Sequence, residues 1–148
     1  MSKLAFVFGI PLFLVLFVGC AKEEKHPIPN GCVNIELHLD YTEYTTLKNP
    51  GCAVITKNPY DCNGYYGNGV VVFKHPDENY GYVAYDATCP KHLEKPTAVR
   101  LDGDGCGFSA TCPYCNTVYW LDSGYPAEGY PLKKYRVSQQ GNLLLVHN

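Results

Sequence analysis

The sequence predicts an all-β domain of short antiparallel strands, packed as the sheets of a sandwich or barrel. Three observations favour this class. Apolar and polar residues alternate with a period of two in short stretches, turn residues separate these stretches at regular spacing, and no window shows a helical period. The chain of 148 residues contains 14 glycines and 11 prolines, which favour turns over long helices. Its length predicts one domain, which we place at residues 32–148.

The candidate strands follow one another along this domain. Residues 33–39 alternate apolar and polar side chains with His38 on the polar phase, so this histidine is expected to be exposed rather than a ligand. Asp102-Gly103-Asp104-Gly105 has the chemistry of a hairpin turn between two further candidates. The remaining candidate strands are residues 53–55, 70–73, 80–87, 98–101, 106–111, 118–121, 132–137 and 143–146.

The N-terminus predicts export. Residues 4–18 form an apolar run of 15 residues, shorter than the roughly 20 that span a bilayer and typical of a signal peptide. The run ends in Phe17-Val18-Gly19-Cys20, which resembles the lipobox of bacterial lipoproteins. This resemblance implies that residues 1–19 are a signal peptide and that lipidated Cys20 holds the protein at the lipid bilayer of the outer membrane. The alternative is an ordinary signal peptide, with Cys20 a bystander.

The segment after Cys20 predicts a tether. Residues 20–31 are polar and contain two prolines, so we expect a flexible connection between the lipid anchor and the domain. Lys22-Glu23-Glu24 also resembles the signal that sends lipoproteins of Bacteroidota to the cell surface. A solvated linker is the alternative interpretation of these charges.

Charge and motif content exclude two classes of function. The net charge of −2, from 12 Lys and Arg against 14 Asp and Glu, excludes a basic nucleic-acid-binding protein. Neither a Ser-His-Asp arrangement nor a catalytic carboxylate pair can be derived from residue spacing. We therefore expect no nucleic acid as partner and no catalytic activity of the chain's own.

The eight cysteines are the feature that most needs explanation. Three of them, with His92, form two short motifs separated by 19 residues: Cys89-Pro90-Lys91-His92 and Cys112-Pro113-Tyr114-Cys115. Two such motifs can wrap one tetrahedral centre, and the hairpin between them should place both loops side by side. We therefore predict a metal site; buried or disulfide-bonded cysteines are the alternative in an oxidising compartment. Four other cysteines allow three pairings as two disulfides, among which the sequence does not choose: Cys32, Cys52, Cys62 and Cys106.

The two motifs also carry a family resemblance, which covers residues 47–146. The first motif follows a candidate strand containing Tyr-Val-Ala-Tyr, and the second precedes an aromatic strand and a glycine turn at residues 118–124. This order resembles a Rieske-type domain, and most closely the Rieske-like lipoproteins of Bacteroidota, which commonly alter the ligand positions. Pro126, Gly129 and Pro131 resemble the third loop that covers the cluster in that family.

The ligand positions depart from the Rieske pattern, which is Cys-x-His followed by Cys-x-x-His. Cys89 and Cys112 match, but Lys91 stands where the first histidine is expected and Cys115 stands where the second is expected. The resemblance implies a 2Fe–2S cluster held by Cys89, His92, Cys112 and Cys115 in a membrane-tethered one-electron carrier. The alternative is a Rieske-fold binding or structural module at the cell surface, with zinc or no metal and no redox role.

Overall fold

A computed structural model describes residues 25–148, which form two antiparallel sheets. Six strands make one curled sheet in the order β1-β9-β8-β4-β3-β2, and three make a smaller sheet in the order β5-β6-β7. The all-β class is therefore confirmed. The strands are β1 (Asn34–His38), β2 (Ala53–Thr56), β3 (Val70–Lys74), β4 (Tyr82–Asp86), β5 (Arg100–Leu101), β6 (Ser109–Thr111), β7 (Val118–Trp120), β8 (Lys134–Gln140) and β9 (Leu143–His147).

Strand β3 separates two hydrophobic cores. Val71 and Phe73 pack with the small sheet, whereas Val70 and Val72 pack on the opposite face with residues of β1 and β9. All four side chains are fully buried. This burial on both faces explains why the sequence of β3 is a continuous apolar run instead of an alternating one.

The predicted hairpin is present and joins β5 to β6. Arg100 pairs with Thr111, and the turn between the strands is a single 3-10 turn at Gly103–Gly105. The carboxylate of Asp102 accepts hydrogen bonds from the hydroxyls of Ser109, at 2.7 Å, and Thr111, at 2.9 Å. These bonds hold the start of the turn against β6 and explain the acidic residue at this position.

The structure contains helical turns that the sequence did not predict. The longest is a 3-10 helix at Thr42–Lys48, which buries Leu47 against β3 and lacks a side-chain cap at its N-terminus. Seven residues without a capping residue leave too short a pattern for a helical period to be recognised. None of the helices within residues 25–148 has the length and apolar character needed to cross a membrane.

The N-terminal segment lies along the domain. The expected signal peptide, residues 1–19, and the expected lipidation site, Cys20, fall outside the described residues. Ile28, which we assigned to a flexible tether, is fully buried. Its backbone carbonyl accepts a hydrogen bond from Lys133 at 3.0 Å, and His26 Nε2 lies 2.9 Å from the carbonyl oxygen of Pro131. In the structure this part of the expected tether is therefore docked on the domain, because burial of Ile28 favours the docked conformation.

The structure selects one of the three disulfide pairings, Cys32–Cys62 with Cys52–Cys106. A backbone hydrogen bond from Gly64 to Cys32 places the first pair side by side. The second pair joins the residue before β2 to the residue after the hairpin turn, and so connects the two sheets. These contacts link positions distant in sequence, which is why residue spacing alone left the pairing open.

The disulfide Cys52–Cys106, which joins the two sheets, should contribute strongly to stability. Replacing both Cys52 and Cys106 by alanine is expected to lower the free energy of unfolding by about 4 kcal/mol, because the disulfide closes a long loop in the unfolded chain. Urea denaturation of the unreduced protein measures this loss. The double variant Cys32→Ala with Cys62→Ala opens a shorter loop, because its cysteines are 30 residues apart in sequence and those of the other disulfide are 54 apart. Its free energy of unfolding should therefore fall slightly less. An unchanged urea midpoint in the first variant would contradict the assigned role.

Candidate metal centre

Two loops meet at the open end of the small sheet and bring together the four side chains that the motifs predict as ligands. Their donor atoms all lie within 4.8 Å of one another. The Sγ atoms of Cys89 and Cys115 are 3.8 Å apart, and Cys112 Sγ is 3.5 Å from His92 Nε2. Three of the residues are buried and Cys115 is half-buried. We refer to this group as the Cys3His cluster: Cys89, His92, Cys112 and Cys115.

Backbone hydrogen bonds close each loop on itself. In the first loop the amide of Cys89 donates to the carbonyl of Thr97 at 2.9 Å, just outside the entry to β5. In the second loop the amide of Cys112 donates to Thr117, and the amide of Asn116 donates back to Cys112. Asn116 has a φ of 58°, a left-handed conformation that asparagine tolerates well. The β5–β6 pairing then sets the two closed loops side by side.

Hydroxyl and amide groups surround the sulfur atoms. Tyr119 Oη lies 3.1 Å from Cys89 Sγ, and Thr117 Oγ1 lies 3.1 Å from Cys115 Sγ. The backbone amides of Lys91 and Thr117 also bond to these two sulfurs. Such donors stabilise a thiolate over a thiol. Sequence reasoning missed Tyr119 and Thr117, although Tyr119 occupies the inward phase of β7 and so could be placed beside the loops.

Burial and hydrogen bonding give the thiols of Cys89 and Cys115 different pKa values. Burial raises the pKa of Cys89 to about 12. Burial acts in the same direction on Cys115, but hydrogen bonds from Thr117 and contact with His92 outweigh it and lower the pKa of that thiol to about 6. Cys115 is therefore the more readily ionised of the two, whereas Cys89 has to release a more tightly held proton before it can bind a cation.

The imidazole of His92 is held with one nitrogen toward the sulfurs. Its Nδ1 faces the carbonyl oxygen of Lys95 at 3.4 Å, and its ring meets Tyr114 edge-to-face with centroids 4.5 Å apart. The ammonium group of Lys95 lies over the Tyr114 ring, 4.3 Å from its centroid. A proton on Nδ1 leaves the lone pair of Nε2 free to coordinate a metal ion, as in metal-binding histidines. Burial lowers the pKa of His92, and hydrogen bonds to Cys115 and Lys95 outweigh this and raise it overall.

The buried carboxylate of Asp86 positions the start of the first loop. It accepts hydrogen bonds from the amide of Thr88, at 2.8 Å, the amide of Tyr65, at 2.7 Å, and the hydroxyl of Tyr135, at 2.6 Å. Asp86 and Thr88 are both fully buried, and Thr88 directly precedes Cys89. Asp86 therefore connects the loop to β8 through the buried side chain of Tyr135.

Loss of this carboxylate should destabilise the domain. Asp86→Ala leaves three donors without their acceptor and is expected to lower the free energy of unfolding by about 4 kcal/mol. The matched variant Tyr135→Phe removes one donor only and is expected to cost about 1.5 kcal/mol. Chemical denaturation of both variants measures the difference. Equal losses in the two variants would show that the bonds to the backbone amides contribute nothing.

The spacing of the donor atoms distinguishes between metal centres. A tetrahedral zinc ion with bonds of about 2.3 Å to sulfur and 2.0–2.1 Å to nitrogen sets its ligand atoms about 3.3–3.8 Å apart. Two of the six distances in the cluster, 3.5 and 3.8 Å, match this geometry, and none of the six exceeds 4.8 Å. Thiolates and imidazoles are also ligands of 2Fe–2S clusters, but ligand atoms on different irons lie farther apart because both irons separate them. The Cys3His cluster therefore fits a single ion better than a pair of irons.

Comparison with solved structures supports the fold. The quaternary ammonium Rieske monooxygenase CntA bound to gamma-butyrobetaine is similar, with a TM-score of 0.54 and 14% sequence identity over 79% of this chain. Its apo form gives a TM-score of 0.51 and 16% identity over 85% of this chain. This chain spans 32% and 34% of the length of those two oxygenase chains.

A shorter protein is matched over nearly all of its own length. The ferredoxin of carbazole 1,9a-dioxygenase from Nocardioides aromaticivorans IC177 is matched over 97% of its length and 78% of this chain, with 16% identity and a TM-score of 0.46. No protein-family model and no curated protein matches the sequence. The similarity to the oxygenase domain, together with the two sheets and the two loops, establishes that this chain has a Rieske-like fold.

Proposed function

We propose that this chain is an exported, lipid-anchored protein whose Rieske-like domain binds one zinc ion through Cys89, His92, Cys112 and Cys115. The observation that carries the proposal is the convergence of four donor atoms, from two separate loops, within 4.8 Å. Four protein ligands leave no open position on a tetrahedral ion, so the site is structural and not catalytic. The domain then acts as a binding or structural module on an outer-membrane face.

The disulfides support both the compartment and the metal. Two disulfides are typical of a protein that folds in an oxidising environment, as an exported protein does. Cys89, Cys112 and Cys115 are not disulfide-bonded in the structure, although two of their sulfurs lie only 3.8 Å apart. Coordination to a metal ion protects such thiols from oxidation, because it occupies the lone pairs that would attack another sulfur.

A 2Fe–2S one-electron carrier is the second candidate, and the Rieske-like fold favours it. Cys89 and Cys112 occupy the cysteine positions of the Rieske pattern, so the ligand set differs from that pattern only at Lys91, His92 and Cys115. An added thiolate favours the oxidised state of the irons. The reduction potential should then fall between about −400 mV, as in plant-type ferredoxins, and the range of about −150 to +300 mV of Rieske centres.

Metal analysis and a visible spectrum of the mature protein, purified from membranes without reducing agent, distinguish these functions. One zinc ion per chain and no visible absorption would support the structural module. Iron and sulfide in equal amounts, with absorption that bleaches on reduction, would establish the electron carrier instead. A folded protein with no bound metal would contradict both proposals.

Two neighbouring residues provide a matched pair of variants for the ligand assignment. His92→Ala removes a proposed ligand and is expected to abolish stoichiometric metal binding. Lys91→Ala alters the position where the Rieske pattern has its histidine, but the Lys91 side chain is exposed and outside the cluster. It should keep its full metal content. Loss of metal in both variants, or in neither, would contradict the assignment of His92.

A further inference from the structure

We propose that the domain rests on the lipid bilayer through one aromatic face, defined by His26, Trp120, Tyr125 and Tyr130. The inference rests on the proposed lipid anchor at Cys20 and adds to it the orientation of the domain. The headgroup region of the bilayer is the surface that we expect to contact this face. The docked N-terminal segment and the exposed aromatic side chains are independent observations that support it.

The docked segment limits the distance between the anchor and this face. His26 and Ile28 are held on the residues that lead into β8 by hydrogen bonds to Pro131 and Lys133. Only residues 21–24 lie between Cys20 and the first described residue, Lys25. Even when fully extended, this connection reaches about 18 Å. The part of the domain around His26 therefore lies close to the membrane surface whenever Cys20 is inserted.

The side chains near that attachment point suit an interface between water and lipid. Trp120, Tyr125 and Tyr130 are 53%, 58% and 43% exposed. Tyrosine and tryptophan concentrate at membrane interfaces, where an apolar ring and a polar group are both accommodated. Their exposure in solution leaves apolar surface in contact with water, and partial insertion would remove it.

The aromatic residues come from the docked segment, from the loop at residues 125–130 and from strand β7, which is bonded to that loop. His26, Tyr125 and Tyr130 line a groove with Gly129 and Pro131, and the rings of His26 and Tyr130 are 6.4 Å apart. The amide of Trp120 donates to the carbonyl of Tyr125 at 3.0 Å. Trp120 lines a second groove with Ala127 and Glu128 of the same loop, and this groove also contains the half-buried Cys115.

Charges near the face do not select an anionic surface. The basic residues Lys25 and Lys91 are exposed, and the acidic residue Glu128 is exposed in the groove that Trp120 lines. These charges are of both signs and solvated, so they contribute little net attraction to anionic lipids. Contact should therefore depend on the aromatic side chains, and a zwitterionic bilayer is sufficient to test it.

The single tryptophan of the chain makes the test direct. The mature, lipidated protein is incorporated into phosphatidylcholine vesicles whose acyl chains carry bromine, which quenches nearby tryptophan fluorescence. Trp120 emission is expected to fall about twofold relative to unbrominated vesicles, as for a side chain at interfacial depth. The variant Trp120→Phe with Tyr130→Trp moves the reporter within the aromatic face and should give the same quenching.

A reporter at the other end of the sheet is the control. Tyr41 is 56% exposed and lies beyond β1, next to the β8–β9 turn, where Leu39 bonds to Asn142. The seven residues of β8 span about 23 Å between that end and the docked segment. The variant Trp120→Phe with Tyr41→Trp should therefore show no quenching in the same vesicles.

The outcomes separate the orientation from the anchor. Protein that floats with the vesicles and is quenched at positions 120 and 130 but not at 41 supports the proposal. Protein that floats with no quenching at 120, or with equal quenching at 41, overturns the orientation and leaves the anchor intact. Protein that fails to float overturns the anchor, and the orientation with it.

Discussion

Removal of the proposed metal ion is expected to destabilise the domain more than any other single change, by about 5 kcal/mol or more. The four ligands come from two loops and meet only in the folded chain, so metal binding acts entirely on the native state. Cys89 and Cys112 are also fully buried members of the core between the sheets. The change tested is Cys112→Ser, and urea denaturation in the presence of zinc measures the loss.

A chelator provides the control for this prediction. Treatment with a strong chelator should lower the urea midpoint of the unmutated protein to a value close to that of the Cys112→Ser variant. The same treatment should leave the variant unchanged, because the variant has no metal to lose. If the chelator lowered both midpoints equally, or neither, the cluster would not be the source of the stability.

The second large effect concerns the membrane. Cys20→Ser is expected to abolish both fatty-acid labelling and membrane partition of the protein, because the acyl chains contribute about 0.8 kcal/mol for each methylene group buried in the bilayer. Incorporation of labelled fatty acid and flotation with membranes measure the two properties. The aromatic face alone should not hold the protein, since interfacial side chains bind weakly without an acyl anchor.

A cysteine variant outside the lipobox controls for general loss of folding. Cys32→Ser with Cys62→Ser removes one disulfide but keeps Cys20, so its labelling and flotation should match those of the unmutated protein. Unchanged fatty-acid labelling of the Cys20→Ser protein would show that the lipobox resemblance is misleading. It would also remove the basis of the proposed orientation on the bilayer.

The strands and the hairpin could be predicted because their signals are local. The alternation in residues 33–39 corresponds to β1, in which Ile35 and Leu37 are buried and their neighbours are exposed. The Asp-Gly-Asp-Gly turn corresponds to the connection between β5 and β6. The 3-10 helix at Thr42–Lys48 could not be predicted, because its formation depends on the burial of Leu47 against β3 rather than on a repeating pattern.

The residues of the candidate site were visible in the sequence, but their geometry was not. Two short motifs and the turn between them were enough to group Cys89 and His92 with Cys112 and Cys115. Residue spacing did not give the distances among their donor atoms, on which the proposal of one ion instead of two irons rests. It also did not reveal Asp86, whose three donors come from separate parts of the chain.

The sequence by itself determined the all-β class, the positions of the strands along the chain and the residues that form the Cys3His cluster, because period, turn chemistry and motif spacing are properties of neighbouring residues. Only the tertiary structure decided the pairing of Cys52 with Cys106, the docking of Ile28 and the acidity of Cys115. Each of these depends on contacts and burial between segments far apart in the chain, and such contacts leave no local pattern.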